Sequence, residues 1–592
     1  MDLSQFFAEL KRRNVYKVAV AYVVAGWAVA QGIAQILPVF DVPNWVVRLA
    51  VLFIISGLPV ALGLAWAFEI TPEGIKRTAD ARDAAQKETR SRAWIYVVLA
   101  GVLLSLLLFL WGRFELRRTA SVPGLMSPKS IAVLPFENLS SDSENAYFAD
   151  GIQEEILTRL TRIRALKVIS RTSTQKYKSA PDNLREIAHQ LGVRYILEGT
   201  VQKTGEQVRI TAQLISALND SHLWADSYDR QLIDMFGVES DVARNIASAL
   251  ETKLTGSEEQ ALAERPTSNP EAYQLYLKAR FFWNKRTAEG LKTAAEYFEQ
   301  AAAADPAYPA AQAGLSETYV LIPLFSAVSA QEYFQKAGTA AFRAIQLDES
   351  SAEAHTTLGL LYCLGDLELG KSEREFRRAI ELNHNYATAH HWFGHSLLVA
   401  LGQFDEAIRE GRDAVELDPL SLVINADLGS TYTVARRYDE AIEQLRRTIA
   451  LDNNFAYAHW NLGQALFLKG DLPGAIAEYE KARALNEDPE VLGLLGCAYA
   501  RAGEREKALD LLRKLDETAQ RQYVRRYLFA LIHVGLGDNE KAVEYLEQAD
   551  QVRENIDLSW LKVDPLLDPL RDLPRFATLV SKVFGGNVEV KQ

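Results

Sequence analysis

A pattern that returns about every 34 residues constrains the fold of this chain more than any other feature. Its copies lie between Ala352 and Asp550 and read AHTTLGLLY, AHHWFGHSL, NADLGSTY, AHWNLGQAL and VLGLLGCAY. Each of these five copies has a glycine at the same place, and a sixth copy has an alanine there. These residues are Gly359, Gly394, Gly429, Gly463, Gly496 and Ala530. The intervals between them are 35, 35, 34, 33 and 34 residues. A fixed period of this length indicates a stacked helical repeat.

Each copy predicts two packed helices. A leucine or phenylalanine stands directly before the glycine, and a tyrosine or leucine stands three residues after it. This is the spacing of one apolar face of a helix. After a short turn, a second segment carries an alanine at a matching place, as at Ala407, Ala441 and Ala475. Because glycine inside a helix costs about 1 kcal/mol, its return predicts that two helices cross closely there.

The pattern resembles the tetratricopeptide repeat. Degenerate copies extend it upstream, beginning with EAYQLYLKARFF at 271–282, and we predict about eight repeats over 269–550. The resemblance implies an all-α solenoid with an extended concave surface, a shape that suits a protein or peptide partner. The remaining segment, 551–592, is predicted to cap the last repeat, because a solenoid must cover its final apolar face.

The repeat frame also predicts a peptide groove. In tetratricopeptide repeats the first helix of each repeat faces the groove, and three successive repeats place there Thr388, His391, His395 and Leu398, then Val423, Ala426, Ser430 and Thr433, then Tyr457, Trp460, Gln464 and Phe467. The groove residues that we single out are His391, His395, Tyr457, Trp460, Gln464 and Phe467. Their apolar and aromatic character predicts an extended apolar or aromatic peptide. In the alternative, these side chains pack against the tail or against a second copy of the protein.

The first 118 residues differ in composition from the rest and contain three uncharged apolar runs, at about 18–40, 49–68 and 93–112. Because about 20 apolar residues span a bilayer, the runs predict transmembrane helices. The first run is weakened by Gln31, Gln35 and Pro38, so an interfacial or re-entrant helix is the alternative for it.

Lysine and arginine counts predict the orientation. Ten such residues lie before the first run or between the second and third, against five on the opposite side. Since the richer side is cytoplasmic, the prediction is a multi-pass protein of the bacterial inner membrane whose carboxyl-terminal body lies in the periplasm. The whole chain has a net charge of −12, and residues 1–118 contribute +5. The body, residues 119–592, therefore carries a net charge of −17. Such an acidic body has no electrostatic footprint for nucleic acid.

Between a linker at 119–129 and the repeats, the sequence predicts a compact α/β domain over 130–255. Strands are expected at 130–136, 166–170, 194–204 and 207–216, the last two joined as a hairpin at Gly205 and Glu206. Helices are expected at 149–163, 183–191 and about 233–254. The order βαβαββα is typical of a compact α/β domain of the usual size.

Three stretches of this domain resemble the TolB amino-terminal-like domain: IAVLPFENLSSDSENAYFADGIQEEILTRL, VISRTSTQKYK and GVRYILEGTVQKTGEQVRITAQLISALNDSHLWADSYDR. The resemblance implies a bacterial protein in which this domain precedes tetratricopeptide repeats, here of an integral-membrane type of unassigned function. The predicted fold class is therefore multi-domain, with amino-terminal transmembrane helices, an α/β TolB-like domain and an all-α tetratricopeptide-repeat solenoid.

No motif in the sequence predicts an enzyme or a cofactor. GxSxG and HExxH are absent, and neither GxGxxG nor GxxxxGK[ST] follows a predicted strand, since the match GDLELGKS at 365–372 lies between the two helices of a repeat. His391 and His395 have the i, i+4 spacing of a metal site, but structural sites require four ligands and no matched third ligand follows. The hydroxyl-rich segment SRTSTQK at 170–176 is a candidate anion site, although a solvated loop is the commoner use of such a segment.

Two functional hypotheses follow. The first is a membrane-anchored, periplasmic scaffold that captures a protein partner in the tetratricopeptide groove. The alternative is a transmembrane signalling protein that relays periplasmic binding to a separate cytoplasmic partner. The alternative is weakened by the short inside-facing segments, 17 residues and about 25 residues, which are too short to form a domain of their own.

Overall fold

The computed structural model describes residues 22, 57–58, 68–71, 74–77, 127, 129–140, 146–177, 183–265, 267–326, 328 and 330–585. The chain divides into two compact units, Met1–Gly124 and Leu125–Gln592. In the first unit, strand β1 (Phe68–Thr71) pairs antiparallel with strand β2 (Gly74–Arg77), so that Phe68 lies opposite Arg77.

The predicted transmembrane helices and the predicted inner-membrane location are corrected by the structure. Within the described ranges, no helix has both the length and the apolar character needed to cross a membrane. Nearly all of 18–40, 49–68 and 93–112 lies outside those ranges, and the last residue of the second run, Phe68, belongs to a strand. The prediction rested on uncharged apolar length alone, which sets whether a helix could span a bilayer and does not show that a spanning helix is present.

The second unit begins with a mixed sheet whose strand order is β5-β3-β6-β7-β8, with β4 also paired to β6. The strands are β3 (Ser130–Val133), β4 (Glu137–Asn138), β5 (Lys167–Val168), β6 (Tyr195–Thr204), β7 (Gln207–Ser216) and β8 (Ser221–Gln231). Strands β3, β5 and β6 run parallel, and β6, β7 and β8 form an antiparallel meander. The sheet thus has a buried parallel side and a more exposed antiparallel edge.

Strand β8 was missed in the sequence. It pairs with β7 along its whole length, yet most of its side chains are exposed and Tyr228 is the buried one. An outermost strand is held by backbone hydrogen bonds on one side, so its side chains need not alternate between apolar and polar residues. The periodicity that predicts strands was therefore absent there.

Helices lie on both faces of this sheet, since Ile131 and Val133 belong to one apolar cluster and Ala132 and Leu134 to another. They are α1 (Ala146–Thr161), the short α2 (Arg171–Thr174), α3 (Leu184–Leu191), α4 (Met235–Ala249) and α5 (Gly256–Ala263). Helix α3 has a clear start and stop, since the side chain of Asn183 accepts a hydrogen bond from the backbone N–H of Glu186 and Gly192 ends the helix at φ +67°. We call residues 130–263 the α/β unit.

Eight helix pairs follow in the described chain. They are α6 (Pro270–Trp283) with α7 (Ala288–Ala304), α8 (Pro309–Phe325) with α9 (Ala330–Leu347), α10 (Ala352–Leu364) with α11 (Leu369–Leu382), α12 (Ala387–Trp392, continued by a π-helical turn, Phe393–Leu398) with α13 (Phe404–Leu417), α14 (Leu422–Val434) with α15 (Tyr438–Leu451), α16 (Ala456–Lys469) with α17 (Leu472–Leu485), α18 (Pro489–Arg501) with α19 (Arg505–Ala519), and α20 (Arg526–Leu536) with α21 (Asn539–Gln551).

The tail after the last pair consists of α22 (Asn555–Leu558), a 3₁₀ turn (Pro565–Leu570) and α23 (Pro574–Phe584). It does more than cover the last repeat. The side-chain amide of Asn555 donates to the carbonyl oxygen of Gly365 at 2.5 Å, and the Arg436 guanidinium pairs with Asp568 at 2.8 Å. The tail therefore crosses from the last repeat to the third and fifth helix pairs.

The α/β unit also contacts the repeats away from their start. The amide of Asn385, which precedes α12, donates to the carbonyl oxygen of Leu166 at 2.9 Å and accepts from the backbone N–H of Val168 at 3.2 Å. The backbone N–H of Ser170 donates to the carbonyl oxygen of Leu417 at 2.8 Å. The α/β unit and the tail both lie against the first helices of the repeats. A cavity remains between these three parts of the chain.

Close helix packing explains why glycine recurs in the first helix of the repeats although it lowers helix stability. A Cβ atom on Gly463 would lie 2.7 Å from the ring of Tyr479, which is fully buried on the second helix of the same pair. The two helices therefore approach within a distance that leaves no room for a methyl group.

We expect Gly463→Ala to lower the free energy of unfolding by about 1–3 kcal/mol, because the Tyr479 ring must move out of a packed core. Gly370→Ala is the matched control, since a Cβ atom there meets nothing within 4 Å, and it should stabilise the protein by about 0.5–1 kcal/mol. Urea unfolding followed by circular dichroism measures both. Equal effects of the two substitutions would contradict the close crossing.

Candidate functional site

A cavity of about 1190 Å³ lies between the α/β unit, the inner helices of the repeats and the tail. Its wall includes Glu154 and Arg171 from the α/β unit and Trp560 from the tail. The first helices of the repeats supply most of the rest, as the tetratricopeptide frame predicts for a concave face. Because three parts of the chain form the wall, the cavity exists only in the assembled fold.

Five of the six residues singled out in the sequence line this cavity: His391, His395, Tyr457, Trp460 and Gln464. Tyr457 and Trp460 are half-buried, and their rings meet edge to face with centroids 4.7 Å apart. Phe467 lies on the same helix but is not part of the wall, and it packs partly against the apolar core. The assignment of these residues as a peptide site stays a prediction.

Asp427, which the sequence analysis did not single out, brings three of these residues together. His391 Nε2 lies 2.7 Å from one carboxylate oxygen, Tyr457 donates its hydroxyl hydrogen to the other, and His395 Nε2 lies 3.7 Å away. Burial raises the pKa of Asp427, but His395, His391 and Tyr457 together outweigh it, so that the pKa ends below its usual value. The available signal was an acidic residue on the inner face, directly before the Leu-Gly pair of NADLGSTY.

His395 also contacts the tail. Its ring meets the Trp560 ring edge to face at 5.0 Å, and the indole N–H of Trp560 points to the Ser396 carbonyl oxygen at 3.4 Å. Burial lowers the pKa of His395 in spite of the nearby Asp427. The tail thus occupies part of the face that the sequence predicted for a peptide.

A buried ion network joins the α/β unit to the repeats at another part of the wall. The Arg280 guanidinium on α6 pairs with Glu154 of α1 and, at 3.1 Å, with Glu317 of α8. Asn284 donates to Glu154 at 2.8 Å, and the Tyr386 hydroxyl donates to Glu317. Each carboxylate therefore has a second hydrogen bond, which a buried ion pair needs in order to offset its desolvation.

The pKa shifts follow from this geometry. Burial disfavours the charge of Arg280, but Glu154, Tyr276 and Glu317 outweigh it and raise the pKa of Arg280. Burial also disfavours the charge of Glu154, but Arg280 and Arg171 lower its pKa below the usual value. At Glu317 burial outweighs Arg280 and Tyr386, and its pKa is raised.

Trp283 lies between two guanidinium groups. The Arg280 Cζ atom is 4.2 Å from the ring centroid and the Arg286 Cζ atom is 3.6 Å from it. Arg286 adopts φ +50°, a left-handed conformation that is uncommon outside glycine. The side chain of Arg286 stays accessible to solvent, but desolvation by the surrounding residues lowers the pKa of its guanidinium to about 10. Arg286 also lines the cavity.

The candidate anion site at 170–176 is used within the chain. The Ser173 hydroxyl donates to an Asp418 carboxylate oxygen at 2.5 Å and accepts from the backbone N–H of Leu420 at 2.8 Å. Burial raises the pKa of Asp418 although Ser173, Ser170 and Thr172 lower it. The anion that this turn holds is therefore a carboxylate from the connection between α13 and α14.

In the described part of the chain, one group brings three possible metal ligands within 4.8 Å of one another, His390, Glu410 and Asp413. His390 is already engaged, because Nδ1 lies 2.6 Å from Glu410 and Nε2 lies 3.1 Å from the His384 carbonyl oxygen. The same arrangement recurs in the pairs His355 with Glu375 and His459 with Glu478. This recurrence identifies the group as a repeat contact between paired helices, and His391 and His395 are not part of it.

Three family models match parts of the chain. The HilA/YgeH-like transcriptional regulator, second domain, matches residues 127–244, and two tetratricopeptide repeat models match 427–489 and 525–556. The prediction of tetratricopeptide repeats in the carboxyl-terminal region is confirmed. The resemblance to the TolB amino-terminal-like domain and to an integral-membrane type is not shown by these matches.

Among curated proteins, the chain is 39% identical over 240 residues to "Putative adenylate cyclase 3" of Rhizobium meliloti (strain 1021), which covers 40% of this chain and 41% of that protein. It is 29% identical over 169 residues to "Anaphase-promoting complex subunit 3" of Schizosaccharomyces pombe, covering 28% and 25% of the two chains. The chain thus spans about two fifths of the first relative and a quarter of the second. That it is not an enzyme stays a prediction.

Among solved structures, the type IV pilus biogenesis factor PilW is similar at 18% identity, with a TM-score of 0.31 over 36% of this chain and 94% of that one. A monomeric mutant of IFIT1 bound to Gppp-AAAA is similar at 15% identity, with a TM-score of 0.37 over 53% and 76%. TM-scores of this size give no basis for an inference about function.

We expect Arg280→Gln to destabilise the protein by about 3 kcal/mol or more, because it removes the ion pair of the buried Glu317 and leaves the buried Glu154 with only the more distant Arg171 at 3.9 Å. Arg209→Gln is the matched control, since Arg209 makes an exposed pair with Asp229 at 2.7 Å, and it should barely move the unfolding midpoint. Urea unfolding measures both. A similar midpoint for the two variants would contradict the role of the network.

His390 predicts a pH dependence of stability. Burial lowers its pKa, but Glu410 and the His384 carbonyl oxygen outweigh it, and the pKa is raised. When the pKa of a histidine is higher in the folded than in the unfolded protein, its protonation stabilises the fold. This contribution is complete below the pKa of the unfolded state, about 6.5, and is lost as the pH rises through the pKa of the folded state. His390→Gln should therefore cost more stability at about pH 6 than at about pH 8.5. A cost that is the same at both pH values would contradict this.

Proposed function

We propose that this protein is a protein-binding scaffold that captures an extended segment of a partner in the cavity between its repeats, α/β unit and tail. The observation that carries the proposal is the cavity of about 1190 Å³ with the half-buried pair Tyr457 and Trp460 in its wall. Tetratricopeptide repeats supply the frame, because their first helices form a concave face. Half-buried aromatic side chains in a recess are the usual anchors of binding energy.

The cavity is suited to a segment and not to a large flat surface. Its wall is assembled from the α/β unit, successive inner helices and the tail, so a bound chain would contact several parts of the fold at once. The buried hydrogen bonds of Asp427 with His391 and Tyr457 hold two of the lining side chains in fixed orientations. A rigid wall lowers the ordering cost of binding.

The proposal has a direct test that needs no known partner. A random nonapeptide library displayed on phage is selected on the full chain, and the enriched peptides are measured on variants. Trp460→Ala should weaken their binding about tenfold or more, because a buried tryptophan anchor is worth about 2 kcal/mol. Its unfolding midpoint should stay near that of the wild type, since Trp460 is half-buried.

Trp224→Ala is the matched control, because Trp224 is also half-buried but lies on strand β8, away from the cavity wall. It should leave peptide binding unchanged. The proposal is wrong if no peptide is enriched on the wild type. It is also wrong if Trp460→Ala binds the enriched peptides as well as the wild type does.

A further inference from the structure

The wall of the cavity has an excess of negative charge. Eleven carboxylates and six guanidinium groups line it, and the described wall contains no lysine. The carboxylates belong to Glu154, Glu155, Glu264, Glu317, Asp348, Glu353, Asp418, Asp427, Glu490, Asp557 and Asp564. The guanidinium groups belong to Arg162, Arg171, Arg265, Arg280, Arg286 and Arg525. A partner segment with positive charge complements such a wall.

The negative and positive side chains of the cavity wall are not evenly distributed along the chain. All of the arginines except Arg525 belong to the α/β unit, the connection after it or the first repeat. On the opposite part of the chain, Arg525 alone accompanies Glu490, Asp557 and Asp564. We call these four residues the tail-side cluster. Positive charge is therefore scarcest where the last repeats meet the tail.

Within the tail-side cluster one arginine serves two carboxylates. The Arg525 guanidinium lies 2.5 Å from one oxygen of Asp557 and also pairs with Glu490. Among the described residues the Asp564 carboxylate makes no ion pair, and it accepts from the Tyr527 hydroxyl at 2.5 Å and from the backbone N–H of Leu566 at 2.9 Å, while Arg571 donates to its carbonyl oxygen at 3.0 Å. Burial raises the pKa of Asp557 to about 6 although Arg525 lowers it, and it raises the pKa of Asp564 to about 6 although the Tyr527 hydroxyl and the Leu566 N–H lower it.

Asp557 carries a second and independent sign of a missing partner. Its side chain is only 7% exposed, and its Oδ2 atom has no hydrogen-bond partner. A buried carboxylate oxygen without a donor costs free energy and is rare in folded proteins. A cationic group brought by a ligand would supply the donor and the charge together.

Aromatic side chains lie in the same wall. Tyr457, Trp460, Tyr527 and Trp560 line the cavity with the tail-side cluster, and Trp460 and Trp560 are half-buried. Aromatic faces attract ammonium and guanidinium groups through their quadrupole. Carboxylates and aromatic rings in one recess therefore share a preference for a cation.

We infer that the partner segment carries a lysine or arginine side chain, and that its cationic end is received by Asp557 and its neighbours in the tail-side cluster beside the rings of Trp460 and Trp560. This rests on the proposed function and adds the charge of the ligand to it. The apolar and aromatic peptide that the repeat positions predicted is replaced by a cationic one, because the carboxylates come from the tail and the last repeats.

The test uses two random nonapeptide libraries that differ only at the central position, which is lysine in one and norleucine in the other. Norleucine keeps the aliphatic chain and removes the charge. We expect the full chain to retain the lysine library at least about tenfold more than the norleucine library, as for a charged group that meets a buried, unpaired partner. In Asp557→Asn that ratio should fall to near one.

Two further variants separate a local effect from a folding defect. Glu490→Gln, which removes charge from the other side of Arg525, should lower the same ratio. Asp572→Asn, on an exposed residue of the same tail, should leave it unchanged. Retention of the norleucine library by the same variant reports on its folding, because a variant that has lost its fold retains neither library above background.

The outcomes distinguish the two proposals. If neither library is retained, the proposed function fails, and the inference about charge fails with it. If the norleucine library is retained as well as the lysine library, the cavity binds peptides but the inference about charge is wrong. A lysine preference that persists unchanged in Asp557→Asn and Glu490→Gln also overturns the tail-side cluster as its origin.

Discussion

The buried guanidinium of Arg280 is the interaction on which the arrangement of the second unit depends. It lies on the first repeat helix and pairs with Glu154 of the α/β unit and Glu317 of the second repeat. Three elements that are far apart in the chain are thereby held by one group. Such a contact is directional, because a buried ion pair tolerates little displacement before its desolvation is no longer offset. Apolar packing alone would fix the distance between the elements but not their register.

From this contact the cavity follows. The α/β unit is fixed against the start of the repeats, and its turn at Ser170 to Ser173 meets the connection between the fourth and fifth helix pairs. The tail returns to the third, fourth and fifth pairs through Asn555, Trp560 and Asp568. The concave face of the repeats is thus enclosed on two sides by its own chain. Side chains that a simple repeat would leave in solvent acquire buried partners, and His395, whose ring meets the Trp560 ring of the tail, is an example.

The repeats themselves depend on small residues at the crossing points. Gly463 faces the Tyr479 ring, and Gly429 faces Leu445 in the same manner, with 2.5 Å between the leucine side chain and the position of a Cβ atom. A larger residue at these positions would separate the two helices of a pair and change the path of the solenoid. Because the wall of the cavity is built from successive first helices, small changes at the glycines would move the lining side chains. The local packing of each pair and the shape of the binding surface are therefore linked.

The sequence alone determined the helix pairs and the face that they turn inward, since both follow from a period of about 34 residues and from spacing within one helix. It also placed His391, His395, Tyr457, Trp460 and Gln464 on that face, where the structure has them in one cavity wall. Apolar length predicted transmembrane helices in the first 118 residues, whereas no helix among the described residues is long and apolar enough to cross a membrane. Strand β8 was missed because an edge strand is held by its backbone. The role of Asp427, the return of the tail and the excess of carboxylates around Asp557 were decided only by the tertiary structure. They depend on how far the solenoid curves, and curvature is the sum of many small rotations between neighbouring repeats, which no single segment of the sequence encodes.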